Sequence, residues 1–262
     1  MATRERPTLP PVRLRLPGRS SEPEILDGEG VSSEDLERSL DAMAAVNRHL
    51  GGRRGLVGPL VSVARSLGRP VTLLDVGTGN ASLPRSLADA LSRRGHTLEW
   101  AGLDLNHRVL KLARQAGERS PPSRDREGRA SPGAGTRGRL LQGTALALPF
   151  DDSSIDVIIS SLTLHHLSDE EARGFLRELS RVARRRVLVS DLERHPLHYA
   201  GARLLGSTLW RADPVTRIDG PLSVLRSHTR AELATLADAG GFESVQIRRH
   251  FPFRLLLDGV PS

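Results

Sequence analysis

The chain has no cysteine. Disulfide staples, thiolate nucleophiles and thiolate metal sites are thereby excluded, and a reducing compartment is the natural setting. Aromatic residues are scarce, at 3%, so the chain cannot offer the ring-studded basic surface on which unpaired bases stack. Lysine is nearly missing: Lys111 stands alone, and the net charge of +7 rests on arginine. Many of these arginines lie in loose, Pro- and Gly-rich stretches, a compositional pattern rather than a patch, so nucleic acid is not an expected partner. No apolar run reaches the roughly 18 residues that a membrane-spanning helix needs. The start of the chain, with Arg4 and Arg6, lacks the apolar stretch of a signal peptide. A cytoplasmic protein is expected, and the sequence leaves its oligomeric state open.

Hydrophobic residues make up 38% of the 262 positions, and the shortfall is local. Two stretches, 1–31 and 117–138, are rich in Pro, Gly, Ser and Arg and show no apolar period. Such segments bury too little surface to offset their ordering entropy. A disordered segment over 1–31 and a mobile insertion over 117–138 are therefore expected, around one folded domain spanning 32–262.

Within that domain the pattern alternates. Ser33–Leu50 and Leu56–Leu67 carry apolar residues at helical spacing. Short strand-like runs follow at Val71–Val76, His96–Leu103, Arg139–Gln142, Ile155–Ser160, the most apolar and β-branched, and Arg186–Ser190. Helical stretches separate them at Ser82–Arg93, Arg108–Gln115 and from Ser168 to about Ala183. Strands alternating with helices imply a parallel sheet with right-handed crossovers and helices on both faces. Pro196 opens a further helix to Trp210, and Thr229 with Glu232 forms a capping box for a helix to about Ala239. Glu243–His250 and Phe253–Leu257 read as a terminal strand pair turning at Pro252.

Chemistry concentrates where strands become loops. In LLDVGTGNASLP, Leu73–Pro84, Gly77 and Gly79 permit positive φ and close approach of a ligand to the backbone. The helix that follows offers unpaired N–H groups to an anionic group such as a carboxylate. Asp75 precedes the first glycine. Its charge would repel a pyrophosphate but suits a cationic amino-acid group. A dinucleotide fingerprint needs a third glycine, and Ser82 stands there instead. In WAGLDLN, Asp104 ends the next strand, where a carboxylate can accept two hydrogen bonds from a ribose diol. QGTALALPF, Gln142–Phe150, places a small turn after the third strand, and IDVIISSLTLHHLSDEE, Ile155–Glu171, places a loop after the fourth.

These four elements, in this order, resemble the core of class I S-adenosylmethionine (SAM)-dependent methyltransferases of the methyltransferase-11, ubiquinone/menaquinone-biosynthesis-like group. The resemblance spans about Leu73–Ser190, and the terminal strand pair fits the same family. It implies a Rossmann-like parallel sheet closed by an antiparallel hairpin, with SAM as cofactor. It places Asp75, Gly77 and Gly79 around the methionine part of SAM and Asp104 on the ribose. It sets Leu105 against adenine, Thr144 and Ala145 at the adenine edge, and Ser160 near the sulfonium. Many relatives carry Asp where Thr144 stands, so the contact to the adenine amino group falls to the Thr hydroxyl or to backbone.

Methyl transfer is an in-line displacement that positioning and water exclusion accelerate, and a hydroxyl acceptor gains from a base. His165, His166 and Asp191, beside the methyl donor, are the candidates, against the plainer reading of local packing and capping. No metal site is expected: Asp191, His195 and His198 lack a fourth ligand, and Pro196 takes His195 off the helix. Residues 192–228, together with the first helix around Asn47, Arg48 and His49, are expected to cover the acceptor, with Tyr199, Trp210 and Arg217 touching it. The expected acceptor is a small molecule with a phenolic, quinone-precursor or polyketide-type hydroxyl. The alternatives are an RNA or protein methyltransferase and a SAM-binding module without catalysis.

Overall fold

A computed structural model describes residues 16, 18–28, 30–49, 52–119, 138–208, 210–211 and 213–262. The strands β1 (Val71–Val76), β2 (Leu98–Asp104), β3 (Arg139–Gln142), β4 (Ile155–Ser161), β5 (Ala183–Leu192), β6 (Phe242–His250) and β7 (Arg254–Pro261) form a seven-stranded sheet in the order β3-β2-β1-β4-β5-β7-β6. β1 to β5 pair in parallel, and β7 runs antiparallel to both β5 and β6. This is the expected parallel sheet with a terminal antiparallel hairpin.

Side chains alternate through the sheet, as a strand's period of two demands, and both faces are covered. From β1, Val71 and Leu73 enter one core while Leu74 and Val76 enter the other. Val157 and Ile159 of β4 follow the first pair, and Ile158 follows the second. Helices α2 (Arg54–Leu67) and α3 (Ser82–Ser92) pack on the first face. The helix α4 (His107–Arg119) follows β2 and adds Ala113 to that core. Helices α5 (Asp169–Val182) and α8 (Arg230–Asp238) cover the second face with Phe175, Leu176, Leu179, Leu233 and Leu236. Both α5 and α8 start with the expected capping boxes, Ser168 with Glu171 and Thr229 with Glu232.

Chain order reverses between β1 and β4, which opens a crevice at their carboxyl ends, the usual ligand position in such sheets. Helix α1 (Ser33–His49) lies over this end, its Leu36 and Leu40 packed with Val109 of α4. Two further helices, α6 (Pro196–Ser207) and α7 (Pro214–Arg226), pair beside it. The sequence reading contains no α7, because Gly220 and Pro221 interrupt its apolar pattern. The helix starts cleanly: Asp213 accepts from the N–H groups of Val215 and Thr216, and Pro214 occupies the first turn.

The disorder expected over 1–31 is corrected for residues 18–28. They run as a strap along α7, with Ile25–Asp27 forming one 3-10 turn. Asp219 of α7 accepts from the N–H groups of Ile25 and Leu26 at 2.9 and 3.0 Å. Ser20 donates its N–H to the Leu225 carbonyl at 3.0 Å. Fixed polar partners thus anchor a segment too poor in apolar residues to fold by burial alone. The expected mobile insertion falls almost wholly on residues 120–137, which lie outside the described residues. Among the described residues no helix is long and apolar enough to cross a membrane.

Candidate active site

The carboxyl end of β1 carries Asp75, 2% exposed. Its Oδ2 accepts from the Thr78 hydroxyl at 2.8 Å, and its buried Oδ1 has no hydrogen-bond partner among the described residues. Burial, reinforced by the negative charge of Asp104, pushes its pKa up to about 7. An unmet buried acceptor costs about 1–3 kcal/mol, recovered when a ligand supplies a donor. Asp156 shows that orphaning is not the rule for buried acids here. In the first half of β4, at the opposite end of the sheet, it is paired with Arg69 and Arg184 and accepts from the Thr72 N–H and hydroxyl.

The chain leaves β1 through Gly77 and Gly79, at φ of 74° and 56°. Gly77 has no alternative, because a Cβ there would lie 2.2 Å from the Thr163 hydroxyl. Gly77 and Thr78 donate to the Leu103 carbonyl, and Gly79 donates to Asp104 Oδ2 at 3.0 Å. Asn106 N–H donates to Asp104 Oδ1, also at 3.0 Å. Backbone from both sides therefore aims the Asp104 carboxylate. Burial still raises its pKa, outweighing these donors. Asp75 and Asp104 thus stand at the same end of neighbouring strands, as the sequence reading requires.

Leu105 is 71% exposed, an apolar side chain standing bare beside Asp104. Thr144 is exposed and its hydroxyl accepts from Leu146 N–H at 3.2 Å, while Ala145 packs against the core. Ser160 is fully buried, and its hydroxyl donates to the Val76 carbonyl at 2.8 Å. It fastens β4 to β1 and holds no free hydroxyl for a ligand.

The loop after β4 turns through Leu162, at φ 59°, into one 3-10 turn, Leu164–His166. One side of this turn presses Thr163 against Gly77; the other borders a cavity of about 340 Å³. That cavity is chiefly apolar, walled by Met43, Leu192, Leu205, Trp210, Val224 and Phe253. Glu24, His165, His166 and Asp219 are among its polar members. His165 is buried and holds Asp191 twice, by ring Nδ1 at 2.7 Å and by its N–H at 3.1 Å. Burial opposes ionisation of Asp191, but the His165 ring and the N–H groups of Leu192 and His165 bring it down to about 2. His166 Nδ1 pairs with Asp27 at 3.0 Å, and the two imidazoles lie 4.3 Å apart. Burial works against the charged form of His166, yet Asp27 and the charges of Glu24 and Asp191 raise its pKa.

The structure thus brings His165, His166 and Asp191 together. His195 instead caps α6, and His198 bonds the Glu193 carbonyl; both rings stack on Phe253. Trp210 lines the cavity, whereas Tyr199 and Arg217 border a separate surface groove with Arg203 and Arg211. The side chains of Asn47, Arg48 and His49 lie outside the described residues. Sequence reasoning missed Glu24, Asp27 and Asp219. The one signal for the first two was the apolar pair Ile25-Leu26, isolated in an otherwise polar stretch.

A family model described as a methyltransferase domain matches residues 74–189. A demethylmenaquinone methyltransferase from Roseiflexus sp. (strain RS-1) is 36% identical over 128 residues, covering 43% of this chain and 51% of that protein. An uncharacterized methyltransferase from Mycobacterium sp. (strain KMS) is 34% identical over 113 residues, 43% of this chain and 34% of its own length. The chain therefore spans about half or less of the curated relatives it matches. In fold it is similar to a SAM-dependent methyltransferase from Aquifex aeolicus, with TM-score 0.55 and 15% identity over 88% of this chain and 100% of that one. An O-methyltransferase family 2 protein from Planctomyces limnophilus, in complex with apigenin, gives TM-score 0.60 and 15% identity over 90% of this chain and 63% of that one.

Proposed function

We propose that this chain, whose residues 74–189 match a methyltransferase domain, is a class I SAM-dependent methyltransferase that methylates a hydroxyl of a small phenolic, quinone-precursor or polyketide-type molecule held in the cavity beside His165. The observation that carries the reading is the pairing of an orphaned, buried Asp75 carboxylate oxygen with an apolar cavity across a single turn of chain.

The residues at the strand ends fit SAM. Asp75 lacks a donor that a ligand ammonium would supply, and Gly77 and Gly79 keep the bend bare of side chains. Asp104 is held ready for a ribose diol, and exposed Leu105 offers an apolar face to adenine. Thr144 and Ala145 border the adenine edge, where the Thr144 hydroxyl, already accepting from Leu146 N–H, keeps a second lone pair for the adenine amino group. Ser160 contributes through strand position alone.

When bound, SAM supplies a methyl group already activated by the sulfonium charge, so a carbon–oxygen bond forms as the carbon–sulfur bond breaks. The protein's part is placement and dryness. Met43, Leu192, Leu205, Trp210 and Val224 surround the acceptor with apolar surface and exclude water. The acceptor's hydroxyl proton leaves at the cluster of His165 and His166, which Asp191 and Asp27 hold in one orientation. A concave, chiefly apolar cavity of about 340 Å³ suits a small molecule better than a polymer.

The test is a SAM-dependent activity screen of the full chain across phenols, quinone precursors and polyketides, with products read by mass spectrometry. A mass gain of one methyl on a hydroxyl supports the reading. Methylation confined to RNA or protein, or SAM binding without any transfer, would replace it with one of the two alternatives.

A further inference from the structure

Glu24 is the residue that neither the motifs nor the family match reaches. The strap carries it to within 3.5 Å of His165 Nε2, and it is 6% exposed. Glu24, His165 and His166 each offer a ligand atom lying within 4.8 Å of the other two. We propose that these three side chains bind a divalent first-row transition-metal ion, zinc or one of similar preference, in the wall of the acceptor cavity.

The first support is spacing. Two ligands each about 2.0–2.1 Å from a tetrahedral zinc stand roughly 3.3–3.4 Å apart, close to the separation of Glu24 Oε1 and His165 Nε2. The second is orientation. Histidines that ligate metals commonly hand the other ring nitrogen to a carboxylate. Both histidines do so here, His165 Nδ1 to Asp191 at 2.7 Å and His166 Nδ1 to Asp27 at 3.0 Å. With the proton held on Nδ1, Nε2 of each ring would be the coordinating atom, and on His166 the ion would have to displace the proton that Asp27 and Glu24 favour. The third is access. All three residues line the cavity, so an ion held by three protein ligands would keep an open position facing the acceptor.

Two nitrogens and one carboxylate oxygen favour zinc, cobalt, iron(II) or manganese over magnesium or calcium, which prefer all-oxygen shells. Ser223 donates to Glu24 Oε1 at 2.8 Å and steadies the carboxylate. Arg226 stands 3.9 Å from Glu24, and its charge opposes the ion. Its donors, however, are turned to the carbonyls of His165, His166 and Glu22, and Asp27 and Asp191 place negative charge behind both imidazoles. No metal is expected from the sequence, because Asp191, His195 and His198 lack a fourth ligand and Glu24 lies in a stretch with the composition of a disordered segment.

Ion binding here does not depend on the methyl-transfer reading, but its use does. On that reading the ion, in place of a free imidazole, would lower the pKa of a bound acceptor hydroxyl, and the proton would pass to solvent water before methyl transfer.

The experiment titrates the untagged full chain with Co²⁺ and Zn²⁺, reading the visible cobalt bands and the bound metal by mass spectrometry, with SAM binding measured on the same sample. One equivalent is expected, with His–carboxylate cobalt bands. Glu24→Gln and His166→Gln should each abolish it. Asp27→Asn, which touches only the orienting partner, should weaken it about 10–100-fold. Absent or sub-stoichiometric cobalt in a chain that still binds SAM overturns the metal site and leaves the methyltransferase reading standing. Cobalt bound equally by all three variants overturns it as well. Stoichiometric cobalt without SAM binding keeps the site and removes its catalytic use.

Discussion

The two halves of the site are built in opposite ways. In the cofactor half the deciding contacts are local: Asp75 to Thr78 spans 3 residues and Gly79 to Asp104 spans 25. In the acceptor half they are distant: Asp219 to Ile25 spans 194 residues and Ser223 to Glu24 spans 199. The first half lies inside the matched residues 74–189. Much of the second, the strap with α1, α6 and α7, lies outside. Short spacing makes the cofactor half a property of a motif, which any sheet with that strand order can reuse. Long spacing makes the acceptor half depend on segments that only the complete fold brings together.

Four perturbations should break or sharpen that division. The largest effect is expected from Gly77→Ala. The new Cβ meets Thr163 at 2.2 Å and a φ of 74°, so stability should fall by at least about 1–3 kcal/mol and SAM binding should vanish. Denaturant unfolding and calorimetry measure both. Adding Thr163→Ala removes the two closest contacts and should restore part of the stability.

Asp219→Ala should spare the cofactor half and damage the other. It leaves two N–H groups of the strap without acceptors, at about 1–3 kcal/mol each if they stay dry. Methyl transfer should fall at least about tenfold while SAM affinity changes less than about twofold. Equal losses in both would show that the halves are coupled.

The third perturbation is pH. Asp75 titrates near 7 in the free protein, ionised above and neutral below. A cationic ligand selects the ionised form, so each bound ligand must expel a proton below that pH. SAM affinity should therefore decline as pH falls through about 7, by up to about tenfold per unit, and stay flat above it. Calorimetry across pH 5.5–8.5 in buffers of different ionisation heat would detect the proton. The smallest effect belongs to Thr144→Ala. Its hydroxyl serves a local turn, so SAM affinity should drop by less than about threefold.

The same division explains what could be read in the sequence. Alternating apolar faces and loop signals placed β1 and α3 to within a residue, and Asp75 and Asp104 fell at matching strand ends because strand length fixes them. The capping boxes at Ser168 and Thr229 were legible because four residues contain the whole device. Helix α7 was not, since Gly220 and Pro221 mask a helix that packing against α6 supports. Glu24 was hidden for a different reason. Its neighbours have the composition of a disordered tail, and Asp219, Ser223 and Arg226, far along the chain, make them a structure. Ser160, expected in the loop after the fourth strand, lies inside β4 instead, and the sequence did not reveal that its hydroxyl donates to the Val76 carbonyl.

Asp75 and Asp104, at the carboxyl ends of β1 and β2, are proposed to grip an adenosyl amino acid in the crevice that opens where chain order reverses. Titration of S-adenosylhomocysteine into the full chain and into Asp104→Ala, followed by calorimetry, tests it most directly. One site of about micromolar affinity in the parent, weakened about 100-fold or more in the variant, is the predicted result. No heat in the parent, or equal affinity in both proteins, would contradict it.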